Sequence, residues 1–266
     1  MAKKAAKSSS AKKNAADSKS TGDWLASVEQ ASTTFAAKYK VLLQWSDRQL
    51  SAAFEVGCFH ALLGFYERQN YALSAENLQD GKFRYLTTPS GNPKNFSYVK
   101  VQGSDGAFEI RQQMRIESHL DSAIAFTPDL VVVKSGADLQ ESKNEDYAGG
   151  KRKFFRVHSK DVISAHECKS MNPFPELLIA FVGMLTAAHE WHPSGDWVLH
   201  TSAEGHLAPT LFVGGNASAL YLKMISAMQK VFKLNIVCGL HLSTWSLKQA
   251  PNRLTLGQLA YDDLPL

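Results

Sequence analysis

The chain is poor in cysteine. Three thiols, Cys58, Cys168 and Cys238, stand far apart in 266 residues, and no CxxC pair occurs. An odd, scattered set of this kind excludes both a disulfide framework and a zinc ribbon. Long apolar runs are missing too. The longest, Leu177 to Ala188, has 12 residues and includes Gly183 and Thr186, whereas a bilayer-spanning helix needs about 20. The N-terminal stretch is Ala, Lys and Ser, without the apolar segment of a secretory leader. These absences predict a soluble protein with no membrane contact, working in the reducing cytoplasm. There is no P-loop, no Rossmann glycine pattern, no GxSxG elbow and no catalytic Cys–His signature. No internal repeat occurs.

What is present is the composition of a globular protein, 44% hydrophobic and 20% charged. The net charge of +4 is unevenly placed. Six of the 29 basic residues (Lys3, Lys4, Lys7, Lys12, Lys13 and Lys19) but only one of the 25 acidic ones (Asp17) fall within the first 20 positions. The remainder is therefore close to neutral, with 23 basic and 24 acidic residues. Residues 1–22 are expected to form a disordered basic tail, which either solubilises the chain or contacts phosphates without regard to sequence. Residues 23–266 are expected to form one folded domain.

Periodicity gives the elements. The stretch from Asp23 to about Gln69 reads as helical, and in its second half Leu50, Phe54, Cys58, Ala61, Leu62 and Phe65 recur at spacings of three and four. Lys82–Thr88 and Asn95–Gln102 flank the turn-rich Thr88–Pro93 and read as a hairpin. From Ala107 to Glu117 the chain alternates, with Phe108, Ile110, Met114 and Ile116 on one face, as in a half-buried strand. Asp129–Val133 reads as a central strand, residues 135–150 as a polar surface loop, and Asp161–Lys169 as another strand. A helix is expected from Pro175 to about Glu190, with Pro175 suited to its first turn. Strands at Trp197–Ser202 and Pro209–Val213, a helix at Ala217–Phe232 and a last strand at Leu234–Leu242 complete a mixed α/β plan, a central sheet covered by helices.

The residues best placed for chemistry are Asp129, behind Pro128 at the start of one strand, and Glu167 and Lys169 near the end of another. Positions i and i+2 of a strand share a face, so Glu167 and Lys169 emerge together. If the two strands are neighbours, Asp129 meets Glu167 across the ladder. Two adjacent carboxylates favour a hard divalent cation such as Mg2+ or Mn2+. A lysine beside them can orient water or neutralise charge on a phosphate oxygen.

With these residues the chain, from about Ser51 to Leu242, resembles the PD-(D/E)xK nuclease superfamily. Pro128-Asp129 is similar to the PD element, and Glu167-Cys168-Lys169 to ExK. The helix after Lys169 is similar to the one that follows ExK, and Glu55, in Phe54-Glu55-Val56-Gly57, to a glutamate on the first core helix. The resemblance implies a restriction-endonuclease-like core, a central mixed sheet flanked by helices. It implies Mg2+ (or Mn2+) held by Asp129, Glu167, the Cys168 carbonyl and, as a weaker third carboxylate, Glu55, with Lys169 assisting water activation. The 38 positions between Asp129 and Glu167 require residues 135–160 to be an insertion.

The implied activity is metal-dependent hydrolysis of DNA, in a restriction, repair or phage-defence setting. Double-stranded cleavage would be easiest for a homodimer, and targeting or activation would come from a partner protein. Two other readings stay open: an RNA-cutting nuclease with the same site, and a nucleic-acid-binding or assembly subunit on the same fold without cleavage activity.

Several further residues carry weaker signals. Lys151, Arg152, Lys153 and Arg156, with Lys160, make the most basic part of the body and either follow a nucleic-acid backbone or are simply solvated. Glu109, Glu117, His119 and Asp121 either join the site or line a polar outer face, the commoner outcome. His189 and His192, three apart at a helix end, either bind a metal or, the favoured reading without further acidic or Cys ligands, make a solvated helix terminus. His166 is read as a packing residue, and the glycines of Val213–Asn216 either approach a phosphate or make a simple turn.

Overall fold

The computed structural model describes residues 50–142 (except Asp105), 154–189, 206–240 (except Lys233), 246–249 and 259–262, together with Gln30. The expected basic tail, the first half of the first helical stretch, Lys151–Lys153, His192 and the expected strand at Trp197–Ser202 lie outside the described residues.

The architecture is mixed α/β, with one large sheet and three α-helices among the described residues. Helix α1 (Leu50–Glu67) buries Phe54, Val56, Cys58, Phe59, Leu62, Phe65 and Tyr66. So many buried positions cover more than one stripe, and a helix apolar on most of its circumference must be enclosed. Then come β1 (Ala72–Glu76), β2 (Tyr98–Gly103), β3 (Gly106–Gln112), β4 (Arg115–Glu117), β5 (Ala125–Phe126), β6 (Leu130–Lys134), β7 (Gln140–Ser142), β8 (Phe154–His158) and β9 (Val162–Lys169). Helix α2 (Pro175–His189), β10 (Thr210–Val213), helix α3 (Ala219–Met228) and β11 (Asn235–Val237) follow. A separate antiparallel pair joins β12 (Ser246–Gln249) to β13 (Leu259–Asp262).

The seven-stranded sheet has the order β1-β2-β3-β6-β9-β10-β11. It is antiparallel from β1 to β9, and parallel from β9 through β10 to β11. Helices α2 and α3 occur at the two parallel steps, as parallel neighbours require a crossover. Strand β6 is buried on both faces, as the continuous run Leu130–Val133 predicts. Leu130 and Val132 join α1 in one core, while Val131 and Val133 join Leu177, Phe181 and Leu185 of α2 in the other. No helix among the described residues is long and apolar enough to cross a membrane.

Three expectations need correction. The strand paired with β2 is Ala72–Glu76 rather than Lys82–Thr88. Left-handed backbone at Asn77, Asp80 and Gly81 turns the chain away after β1, and residues 82–88 pack Phe83 and Leu86 into the interior without forming a ladder.

The alternating stretch Ala107–Glu117 is two strands rather than one. It breaks at Gln113, where φ is 49°. Beyond the break the chain leaves the large sheet, so Phe108 and Ile110 enter the α1 core while Met114 and Ile116 enter the α2 core.

Finally, residues 135–150 are not wholly loop. Gln140–Ser142 pairs antiparallel with β8, and β8 runs parallel to β4, giving a four-stranded sheet ordered β5-β4-β8-β7.

Candidate active site

The register of β6 against β9 places Leu130 opposite His166 and Val131 opposite Ala165. One step further along this antiparallel ladder, Asp129 faces Glu167. Lys169 lies two residues on, at the end of β9, where Val213 of β10 is its partner on the other side. Its Nζ lies 3.2 Å from Oδ2 of Asp129 and is also ion-paired with Oε1 of Glu167. One ammonium thus touches both carboxylates.

Asp129 is held from three directions. Oδ2 accepts the main-chain N–H of Cys168 at 2.7 Å, and Oδ1 accepts Nε2 of Gln113 at 2.8 Å. Its carbonyl oxygen accepts the Gln113 N–H at 2.9 Å. In an antiparallel ladder one residue's N–H and C=O point to the same neighbouring strand. The peptide of Cys168 therefore faces Asp129, while the Lys169 carbonyl faces β10 and accepts the Gly214 N–H at 2.9 Å.

Glu55, on the second turn of α1, is brought to the same place. Its Oε2 accepts Nε2 of Gln113 at 3.0 Å, so a single amide donates to Glu55 and Asp129 together. Gln113 was not singled out by sequence reasoning. The alternation gave no signal for it, because Gln113 falls on the polar face of Ala107–Glu117 with Glu109, Arg111, Arg115 and Glu117. A left-handed backbone costs an ordinary residue on the order of 1–2 kcal/mol, and such outliers concentrate at functional positions.

Burial raises the carboxyl of Glu55 to about 8, and the nearby Asp129 charge adds to the rise. Glu167 is raised to about 7 by burial and then by Asp129, against the lowering effect of Lys169. For Lys169 burial opposes the charged form, but Asp129 and Glu167 together outweigh it and hold its pKa above the usual lysine range. The ammonium therefore stays charged at neutral pH. The thiols of Cys58 and Cys168, fully buried beneath the site, are both pushed up by desolvation.

The donor chemistry fits a hard divalent cation. Carboxylate and carbonyl oxygens suit Mg2+ and Mn2+, and Oε2 of Glu167 is buried without a hydrogen-bond partner. The set is not a closed cage: among the described residues, no three His, Cys, Asp or Glu side chains converge into a ready-made metal group. Lys169 stands where a cation would share Asp129 and Glu167.

The other candidates are used elsewhere. Glu109 pairs with Arg111 at 2.7 Å and accepts the Gly136 N–H. Glu117 pairs with Arg156 at 3.1 Å, and Arg156 also donates to the Ser122 carbonyl. The Arg156 guanidinium thus makes two contacts within the fold. His119 donates to the Thr186 carbonyl near the end of α2, and Asp121 accepts the Ala123 N–H in a local turn. His166 is fully buried, lies against Phe212 and is lowered to about 3 by desolvation, in keeping with a packing role. His189 ends α2. The Gly214 and Gly215 N–H groups donate to the carbonyls of Lys169 and Met171, so this glycine turn has no free N–H pair for a phosphate.

No protein-family model, no curated protein and no solved structure matches this chain.

Proposed function

We propose that the protein is a metal-dependent nuclease of the PD-(D/E)xK type, hydrolysing phosphodiester bonds in DNA. The observation that carries this reading is the convergence of Asp129, Glu167 and Lys169, three residues from two strands joined by their register. The element order supports it as well: α1, the antiparallel β3-β6-β9, then α2 and the parallel β10 follow the sequence of parts in a restriction-endonuclease-like core.

In this reading Asp129, Glu167 and the Cys168 carbonyl hold Mg2+ or Mn2+, with Glu55 as an additional carboxylate beside Asp129. Such an ion, when bound, acidifies water and stabilises negative charge on the phosphoryl group. The chain's own groups do the rest. Cys168 and Gln113 orient Asp129 through two hydrogen bonds to different oxygens. The permanently charged Lys169, released from one carboxylate, directs its N–H groups toward the attacking water or a phosphate oxygen. A homodimer placing one site on each strand, or a partner protein supplying targeting, fits a domain of this size.

The test is cleavage of supercoiled plasmid by the purified chain with Mg2+, with Mn2+ and with EDTA. Parallel arms use single-stranded DNA and RNA. Cleavage that needs the divalent ion, and that is lost in Asp129→Ala and Lys169→Ala with the fold retained by circular dichroism, supports the reading. Cleavage of RNA alone would move the substrate class. Nucleic-acid binding that is equal in EDTA and Mg2+, without nicking, would leave a binding subunit in which Lys169 neutralises two structural carboxylates.

A further inference from the structure

We propose that Gln113 is a positioning residue whose side-chain amide sets the affinity of this site for a divalent cation, an inference that rests on the nuclease reading above.

The argument begins with what the amide can do. Both partners of Nε2 are carboxylate oxygens, Glu55 Oε2 at 3.0 Å and Asp129 Oδ1 at 2.8 Å. Only the NH2 end of the amide can donate to two acceptors, so they fix which way it faces. The two acceptors come from unconnected parts of the fold, 74 positions apart in sequence, one on α1 and one at the head of β6. Without a donor between them the two carboxyl groups would face each other unbridged across a buried space. With it they share a fixed separation before any cation arrives.

The arm that carries the amide is itself held. The Gln113 N–H donates to the Asp129 carbonyl at 2.9 Å, so the main chain and side chain of one residue bind the main chain and side chain of the other. Gln113 is buried, and its φ of 49° is what breaks β3 from β4 and turns the side chain inward. An extended backbone here would let the alternating strand continue and would not produce this break. Groups that orient metal ligands without touching the metal typically change affinity about 10–100-fold when removed.

The experiment titrates Mn2+ into the full chain, following free Mn2+ by electron paramagnetic resonance, alongside thermal melting. Four proteins are compared: wild type, Asp129→Ala, Gln113→Gly and Gln113→Met. Glycine accepts the left-handed backbone freely, so Gln113→Gly removes the amide while relieving the main chain. Methionine keeps the length of the arm without its donor. The expected result is Mn2+ binding in wild type, loss of it in Asp129→Ala, and affinity about 10–100-fold weaker in both Gln113 variants, with Gln113→Gly melting within a few degrees of wild type.

Wild-type Mn2+ affinity in a folded Gln113→Gly overturns this inference and leaves the nuclease reading standing. If Gln113→Gly does not fold, Gln113→Met decides by the same affinity criterion. A wild-type chain that binds no Mn2+ removes both proposals together.

Discussion

The main-chain N–H of Cys168 donates to the same Asp129 oxygen that pairs with Lys169, at 2.7 Å and 3.2 Å respectively. Strand β9 therefore grips Asp129 twice, once through a peptide and once through a side chain. The peptide is fixed by the sheet whereas the ammonium rides on a flexible four-carbon arm, which makes Lys169 the adjustable member of the site.

Replacing Lys169 should separate binding from chemistry. On the proposed reading the ammonium would compete with a dication for Asp129 and Glu167. Lys169→Met is expected to bind Mn2+ as tightly as wild type or several-fold more tightly, while cleavage falls by about 100-fold or more. Isothermal titration beside a plasmid-nicking assay measures both. Weaker metal binding in this variant would show that Lys169 supports the carboxylates rather than competing for them.

Glu55 predicts a pH dependence of stability. Burial and then Asp129 raise its carboxyl from 4.5 to about 8 in the folded chain. Between those values the native state holds a proton that the unfolded state has released, so stability falls as pH rises through this window. Glu55→Gln keeps the shape without the ionisation. Its stability relative to wild type should increase from pH 5 to pH 9, reaching roughly 1–3 kcal/mol, as read from urea unfolding at each pH. A constant difference across the range would refute the assignment.

Gly215 sits against the segment that leaves β9. A Cβ there would lie 2.7 Å from the Asn172 Cα and 2.9 Å from its main-chain nitrogen. Because both are backbone atoms, the clash cannot be relieved by rotating a side chain. Gly215→Ala is expected to destabilise the fold by about 2–3 kcal/mol, measured by chemical denaturation.

Arg156 tests where nucleic acid runs. Its pair with Glu117 is largely buried, the two side chains being 19% and 12% exposed. Arg156→Ala should lower stability by about 1–2 kcal/mol and leave the salt dependence of DNA binding unchanged. A drop of about one in the slope of log affinity against log salt would instead place this guanidinium on a phosphate.

Much of the candidate site could be read locally. Pro128-Asp129 ahead of four apolar residues, and Glu167 and Lys169 at the end of an apolar strand, are patterns within single elements, and β6, β9 and α2 lie where those patterns put them. What was not legible depended on the choice of partner. Ala72–Glu76 is short and half-exposed, whereas Lys82–Thr88, with Phe83 and Tyr85, has the stronger strand composition but forms no ladder. Position 113 escaped for a related reason. Period-two alternation survives a left-handed residue, so Phe108 to Ile116 reads as one strand although its two halves serve different cores.

Residue 168 divides its duties between its two ends. Its peptide faces Asp129, while its thiol packs under α1, in hydrogen-bond contact with Cys58. The side chain of the middle letter of Glu167-Cys168-Lys169 thus answers to the helix it packs under, while its peptide serves the carboxylate beside it. Any compact apolar side chain that fits beneath α1, alanine or valine among them, would leave the machinery beside it intact.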